Sequence, residues 1–294
     1  MKPLDIVLIL FLLTQLISLG VGVLLIEGAK TNPALYALNI APDESRSISN
    51  SFYLLVSILI GAALILILLL MPFKKYLILI VEFISAIFAS FVVFFVFLSA
   101  FNIGYADFIA LILSLLLFIL RMIFISFRNL LAMIAAAGIG AVIAFSIDPI
   151  PLFIFVILLA IYDILAVRWT KHMVKFAQYF MKEKTSFSIG FEGTRQIKIR
   201  EQGKIISKEQ PWHIELGTGD AAVASMITVV SYKLGGLIFP TISMLASTLG
   251  LYLVFINAAR SKEIMPALPY IVGVSLIAIL IVSGLLGILN TSFY

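Results

Sequence analysis

Long apolar runs, interrupted by short polar or proline-containing segments, dominate the chain. A run of about 20 apolar residues is long enough to cross the hydrocarbon core of a bilayer as a helix. The pattern therefore predicts an all-α, polytopic membrane protein with nine transmembrane helices. Their predicted ranges are 4–26, 52–72, 76–99, 105–127, 129–147, 150–169, 216–234, 236–257 and 268–289.

The longest polar stretch divides the predicted helices into two groups within one membrane-embedded unit. The predicted division is helices 1–6 in 1–169, a cytoplasmic basic loop in 170–215, and helices 7–9 in 216–294. A solvated linker near anionic lipid headgroups explains such a basic loop more simply than a dedicated partner site.

Within this loop the pattern changes from helical to strand-like. Residues 171–184 are suited to a polar helix that continues helix 6. Residues 187–191 and 195–206 are strand-like, and Glu201-Gln202-Gly203 is suited to a hairpin turn.

Composition supports a membrane protein and limits the available chemistry. Of the 294 residues, 63% are hydrophobic and 12% are charged, whereas a soluble domain is about half apolar and a quarter charged. The chain has no cysteine, which excludes disulfides, thiol catalysis and cysteine-ligated metal. It has two histidines, too few for a histidine-rich metal site. We expect no metal and no cofactor.

The net charge of +5 points to membrane topology rather than to nucleic acid. Basic residues of membrane proteins concentrate on the cytoplasmic side. With a cytoplasmic N-terminus, seventeen of the twenty Lys and Arg residues lie in cytoplasmic segments, which leaves Lys30, Arg46 and Lys233 on the other side. The first apolar run is too long for a signal-peptide core, so we expect it to be retained. These patterns predict a multi-pass protein of the cell membrane with a cytoplasmic N-terminus and an extracytoplasmic C-terminus.

Two aspartates lie inside predicted membrane helices, where a carboxylate is costly enough to suggest a function. Asp163 lies five residues before Arg168, and Asp220 lies five residues after Glu215. At about 1.5 Å per residue, each carboxyl is roughly 7–8 Å inside the cytoplasmic boundary. The two helices are consecutive and antiparallel, so the two carboxyls share a depth and can meet.

A pair of carboxyls at this depth predicts hydrolytic chemistry. Two carboxyls about 3 Å apart share one proton, because like charges cannot both ionise. The ionised carboxyl takes a proton from water as the water attacks an amide carbonyl, and the protonated one polarises that carbonyl and helps the amine leave. The alternative is that each acid only bonds to backbone or to a basic neighbour, an interpretation that a matched pair makes weaker.

The residues around the two acids permit a close approach. Gly217 and Gly219 make the start of helix 7 small, so its backbone can pack closely and depart from regular helix. Tyr162 precedes the first acid, and its hydroxyl faces either the site or the membrane interface. The segment Pro266-Ala267-Leu268-Pro269 places irregular backbone at the same cytoplasmic edge, because proline lacks an amide hydrogen.

Two other classes of protein fit part of this pattern. An ion channel or proton-coupled transporter would use the same intramembrane acids to relay protons or to bind cations. A prepilin-type peptidase also uses a glycine-flanked aspartate, but its acids are expected in cytoplasmic stretches, and it offers no match to Pro266-Ala267-Leu268.

Three motifs resemble those of the presenilin and signal peptide peptidase family of intramembrane aspartyl proteases. They are Tyr162-Asp163, Gly217-Thr218-Gly219-Asp220 and Pro266-Ala267-Leu268. Their order, their helices and the nine-helix count agree, so the resemblance covers essentially the whole chain. The brevity of the chain suggests an archaeal homologue of presenilin.

The resemblance implies an aspartic endopeptidase that cleaves peptide bonds in or near transmembrane segments of other membrane proteins. Its implied site consists of Asp163 and Asp220 as the catalytic pair, Tyr162, Gly217, Thr218 and Gly219 as support, and Pro266, Ala267 and Leu268 as the substrate-binding element. Its expected partners are transmembrane proteins or peptides as substrates and the lipid bilayer, with no nucleic acid, and a homo-oligomer is compatible with the sequence.

The resemblance also implies that an edge strand from the loop before helix 7 pairs with the unwound substrate, for which 197–199 and 204–206 are candidates. Thr218 stands where presenilins usually have leucine, which points to a different substrate preference. The loop after helix 6 lacks the long hydrophobic stretch at which presenilins cut themselves, so we expect no self-processing. The cytoplasmic N-terminus matches the presenilin branch, because the signal peptide peptidase branch is inverted.

Three further charged residues lie near the cytoplasmic ends of predicted helices. Glu82 has a depth like that of the two acids, and a structural hydrogen bond or a place beside a water path is a better interpretation than catalysis. Arg121 and Arg128 are expected to anchor the topology by extending their charged ends to the membrane surface.

Overall fold

The helices form in the places that the apolar pattern predicts. A computed structural model of the chain describes residues 3–41, 46–167, 185–201, 204–261 and 265–286. The helices within these ranges are α1 (Pro3–Gly28), α2 (Pro33–Tyr36), α3 (Ser49–Leu70), α4 (Lys74–Ala100), α5 (Ala106–Ile123), α6 (Phe127–Ser146), α7 (Pro149–Leu165), α8 (Thr218–Gly235), α9 (Ile238–Ser261) and α10 (Leu268–Leu285). Except for the short α2, each corresponds to one predicted membrane helix.

Seven of the described helices are long and apolar enough to cross a membrane: α1, α3, α4, α5, α6, α9 and α10. The helices that carry the two acids are the other long ones. α7 is apolar but has 17 residues, and α8 has 18 residues with polar side chains along its length. The structure thus establishes a multi-span helical architecture, while the count of nine spans remains a prediction.

Prolines and one glycine define the ends of these helices. Pro149 lies in the first turn of α7, where the missing amide hydrogen is not needed. Gly236 follows α8 with φ of +72°, a conformation that favours glycine and lets the chain turn back into α9.

Small residues let α6 lie at the centre of the bundle. α6 packs against α1, α4 and α8. A side chain at Gly138 would collide with the backbone of Ala89 in α4, and one at Gly140 would lie 2.6 Å from Cβ of Ser225 in α8. Close backbone approach of this kind is how membrane helices gain packing contacts without a hydrophobic driving force.

Buried polar side chains connect α1 to the helices around it. Oε1 of Gln15 accepts hydrogen bonds from Thr228 of α8 at 2.9 Å and from Ser247 of α9 at 2.7 Å. Ser18 donates to the Ala137 carbonyl of α6 at 3.0 Å. These bonds fix the rotation of α1, because a polar side chain turned to hydrocarbon would lose its partner.

The basic loop contains a long β-hairpin. Strand β1 (Ser188–Glu201) pairs antiparallel with β2 (Lys204–Gly217), from Ser188 opposite Gly217 to Glu201 opposite Lys204. The hairpin agrees with the predicted strand character, but both strands are longer than predicted. It also adds a two-stranded sheet to the predicted all-α fold. The predicted polar helix at 171–184, and residues 202–203 of the predicted turn, lie outside the described residues.

The base of the hairpin is fastened to the start of α6. The Asn129 side-chain amide donates to the Gly190 carbonyl at 2.8 Å, and its oxygen accepts from the Gly190 N–H at 3.1 Å. Arg128 forms an ion pair with Glu215 at 3.5 Å, and Ser188 donates to the same carboxylate at 2.8 Å. The expectation that Arg128 extends to the membrane surface is wrong, because Glu215 provides a buried partner and the Arg128 side chain is 7% exposed.

At the opposite end of the bundle, Lys233 connects α8 to the end of α6. Nζ of Lys233 in α8 donates to the Phe145 carbonyl at 2.8 Å and to the Ile147 carbonyl at 2.9 Å, and it lies 3.8 Å from Asp148. The last carbonyls of a helix lack intrahelical donors, so a lysine from a neighbouring helix satisfies them.

Candidate active site

Two helix ends bring the two acids into one cavity. Asp163 lies in the last turn of α7, and Asp220 lies in the first turn of α8, which packs against α7. Both carboxyls line a cavity of about 350 Å³. Asp163 is 7% exposed and Asp220 is half-buried, and the two are close enough to interact electrostatically. The structure therefore brings the two acids to the wall of the same cavity.

The proline-containing segment holds the first acid. The Leu268 N–H donates to Oδ2 of Asp163 at 3.2 Å. Leu268 is the first residue of α10, and the first amides of a helix have no intrahelical acceptor. Pro266 and Ala267 precede this bond in irregular backbone, so the segment supports Asp163 as well as bordering the cavity.

The start of α8 is fixed to the residue that precedes the hairpin. The Phe187 carbonyl accepts from the Thr218 N–H at 3.0 Å and from the Thr218 hydroxyl at 3.1 Å. Two donors on one carbonyl define the orientation of the first turn of α8. Asp220 lies two residues further along this turn, so its position depends on Phe187.

The two glycines beside Asp220 keep its surroundings open. A Cβ at Gly217 would lie 3.4 Å from Oδ2 of Asp220, and a Cβ at Gly219 would meet nothing within 4 Å. Gly219 also lines the cavity. The close backbone packing predicted for these glycines is not seen at either position, and their role in supporting the site stays a prediction.

The structure brings most of the predicted site residues to the cavity wall. Those that line it are Tyr162, Asp163, Thr218, Gly219, Asp220 and Leu268. Gly217 adjoins Asp220 without lining the cavity, and Pro266 and Ala267 lie just before Leu268.

The rest of the cavity is mainly apolar. Its aliphatic lining comes from α3, α4, α6, α7 and α8, and includes Ile58, Ala86, Ala136, Ile139, Ile143, Leu159, Val223 and Met226. Polar side chains other than the two acids are contributed by Glu82, Ser85, Tyr162, Ser186 and Thr218. Such a cavity suits apolar side chains beside a polar reacting centre.

The partners of Glu82 are visible only in the three-dimensional structure. Its Oε1 pairs with Arg121 of α5 at 2.7 Å and accepts from the Ser186 N–H at 2.7 Å. The expected bond within the bundle is therefore present, but Arg121 is not a surface anchor, because its side chain is 12% exposed and turns towards Glu82. The similar predicted depth of Glu82 and Arg121 was the only sign in the sequence that they could pair. Whether they meet depends on how α4 and α5 are rotated about their axes.

Among the described residues, no cluster of three or more His, Cys, Asp or Glu side chains could hold a metal ion. The cavity presents carboxyls and hydroxyls next to apolar side chains. A bundle of apolar helices that encloses such a pair defines a class of membrane protein with an intramembrane acid site.

Comparison with known proteins identifies the family. The family described as signal-peptide peptidase, presenilin aspartyl protease matches residues 8–288, and the chain belongs to this family. Its fold is similar to two solved structures of a presenilin family intramembrane aspartate protease, in the C222 and P2 space groups. Both are 19% identical to this chain, with TM-scores of 0.65 and 0.66. The alignments cover 96% and 97% of this chain and 99% of each solved chain.

No curated protein matches the chain significantly. The family membership confirms the predicted resemblance and, with it, the interpretation as a presenilin-like intramembrane aspartyl protease. Neither the family match nor the solved structures support the channel or transporter alternative.

Proposed function

We propose that Asp163 and Asp220 are the catalytic dyad of this aspartic endopeptidase. The observation that carries the proposal is that both carboxyls line one cavity from opposite helix ends. The ionised carboxyl accepts a proton from water as the water oxygen bonds to the scissile carbonyl carbon. The protonated carboxyl donates to the carbonyl oxygen, and the C–N bond then breaks as the amine nitrogen takes up a proton.

The proposed substrates are transmembrane segments of other membrane proteins, reached from within the bilayer. The apolar lining suits their side chains, and water reaches the dyad from the nearby cytoplasmic face. This arrangement uses nine spans with a cytoplasmic N-terminus, which places both acids near the side from which water comes. Tyr162 and Thr218 border the reacting peptide, and Thr218 contributes to the choice of side chain beside it.

The unwound substrate is proposed to extend the hairpin sheet along β2. Asn129 binds both backbone groups of Gly190, so these groups point away from β2. In an antiparallel ladder the backbone groups of its partner Glu215 then point away from β1, towards the outer edge of β2. A substrate strand on this edge lies next to Gly217 and leads directly to Asp220.

The substrate-pairing edge proposed here differs from the strand segments that the sequence suggested for this role. Ile206 lies eleven residues before Gly217 in β2, so at about 3.4 Å per residue it is roughly 37 Å along the strand. Residues 197–199 pair with this distal half of the hairpin. The substrate-pairing edge is therefore proposed to lie in 214–217, beside the dyad.

The proposal is tested with purified protein and a transmembrane peptide, by measuring peptide cleavage for Asp163→Ala and Asp220→Ala. Each variant is expected to lose cleavage, because one carboxyl cannot act as both acid and base. Asp107→Ala is the matched control, since Asp107 is exposed in the first turn of α5, and it is expected to cleave at the wild-type rate.

Cleavage that persists at the wild-type rate in either dyad variant contradicts the assignment. An ion flux through the protein that continues while peptide hydrolysis is blocked would instead favour a channel or transporter.

A further inference from the structure

Glu82, Arg121 and Ser186 form a buried cluster at the edge of the cavity. Arg121 pairs with the Glu82 carboxylate at 2.7 Å and donates from Nε to the Ser186 hydroxyl at 3.0 Å. The Ser186 N–H donates to the same carboxylate at 2.7 Å. We call these three residues the α4–α5 clamp, because α4 and α5 together hold the chain at Ser186.

The clamp is unlike a surface ion pair. The Glu82 side chain is 2% exposed and that of Arg121 is 12% exposed. A buried pair gains little net stability, since desolvation offsets most of the attraction, but the loss of one partner leaves an unpaired buried charge. Stability alone therefore gives a weak reason for this cluster, whereas a fixed position for Ser186 gives a direct one.

The position of Ser186 is transmitted to Asp220 through three residues. Ser186 is bonded to Phe187, whose carbonyl accepts both donors of Thr218 at the start of α8. Thr218 is followed by Gly219 and then by Asp220. A shift of Ser186 thus moves the acceptor on which the first turn of α8 is built.

We propose that Glu82 and Arg121 are positioning residues of the protease, which set the place of Asp220 relative to Asp163. This inference rests on the proposed function of the dyad. Because reacting groups must be aligned within about 1 Å, loosening the clamp is expected to reduce turnover about 10- to 100-fold while substrate binding stays nearly unchanged.

The test measures kcat and KM for Glu82→Ala and for a matched control in the same two helices. Phe83 of α4 packs edge-to-face against Phe118 of α5 with ring centroids 5.0 Å apart, so Phe83→Ala weakens the contact between these helices without touching Ser186. We expect Glu82→Ala to lower kcat about 10- to 100-fold with KM within about twofold. Phe83→Ala is expected to lower the melting temperature and to keep the wild-type kcat.

A pair of conservative variants keeps the test valid if Glu82→Ala fails to fold. Arg121→Met leaves the Glu82 charge unpaired, and adding Glu82→Gln removes that charge while keeping an oxygen that accepts from Ser186. The kcat of the double variant is expected to be at least about threefold higher than that of Arg121→Met alone, because the unpaired buried charge is the main defect of Arg121→Met.

Equal loss of kcat in Phe83→Ala and Glu82→Ala would overturn the inference, because packing alone would then explain the effect. A wild-type kcat in folded Glu82→Ala, or no gain in the double variant, would also overturn it. Failure of the proposed function appears differently: the wild-type protein would not cleave, or the dyad variants would.

Discussion

The two aspartates have the same chemistry but different surroundings. Asp163 is buried and accepts a hydrogen bond from the Leu268 N–H, whereas Asp220 is half-buried beside two glycines. The first acid is therefore held by backbone from another helix, and the second is held by the position of its own helix. Each can be disturbed separately.

The bond to Asp163 can be removed without changing an acid. Leu268→Pro deletes the donating N–H at a first helical position, where proline is otherwise tolerated. Loss of a hydrogen bond to a charged group is worth about 1.5–3 kcal/mol, so we expect kcat to fall about 10- to 100-fold. Leu268→Ala keeps the N–H and is the control. Equal rates for the two variants in the peptide cleavage assay would show that the hydrogen bond is not used.

The shared proton gives the reaction a defined pH dependence. At low pH both carboxyls are protonated and no base is available, and at high pH both are ionised and no acid is available. We expect the dependence of kcat on pH to rise and then fall, with the two limbs belonging to the pair rather than to either residue. A rate that remains flat well into the alkaline range would contradict a dyad with one proton.

Sequence reasoning located the acids but not their neighbours. Asp163 and Asp220 stand out because a carboxylate in an apolar run is rare. Arg121 and Glu82 are 39 positions apart, and their pairing depends on how α4 and α5 are rotated about their axes. The helical pattern fixes depth in the membrane more strongly than rotation, so such pairs are found only in three dimensions.

At the scale of elements, the position of α8 depends on its contact with α6. A Cβ added at Gly140 would lie 2.6 Å from Cβ of Ser225 and 2.9 Å from the Ala222 carbonyl oxygen. Backbone on one side of this contact cannot move aside as a flexible side chain would. The distance between α6 and α8 is thus set by the absence of a side chain at one position.

Gly140→Ala is expected to push α8 away from α6 and to displace Asp220. Overpacking of this kind typically destabilises by about 1–3 kcal/mol, which lowers the melting temperature, and we expect a lower kcat as well. Gly273→Ala in α10 is the control, since a Cβ there meets nothing within 4 Å. Thermal unfolding in detergent and peptide cleavage together check this, and equal behaviour of the two variants would contradict the close packing.

The hairpin shows where local pattern stops being informative. Strand character was visible near residues 187–191, but the pairing of Ser188 with Gly217 depends on docking to Asn129 and Arg128. The second strand ends at Gly217 and α8 begins at Thr218, so no loop separates the two elements. The predicted helix therefore began two residues too early.

At the scale of the whole molecule, the apolar pattern was sufficient to predict the order of the helices. Each predicted range overlaps a described helix, because a continuous apolar run of membrane length has few other structures available to it. The charge distribution predicts the orientation, and the helical bundle by itself does not test that prediction.

The absence of cysteine makes the orientation easy to measure. One variant carries Lys30→Cys and another carries Lys75→Cys. A membrane-impermeant maleimide is added to cells in which the external face of the cell membrane is accessible to the reagent. We expect Lys30→Cys to be labelled in intact cells and Lys75→Cys only after lysis. The reverse pattern would place the N-terminus outside.

The lysine at the far end of α8 limits how this helix can move. Thr218 is bonded to Phe187 at one end of α8, and Lys233 is bonded to the Phe145 and Ile147 carbonyls at the other. A helix held at both ends cannot slide along its own axis without breaking bonds at both ends. Piston-like motion of α8 is therefore suppressed, and the gap between the two carboxyls cannot be changed by sliding this helix alone.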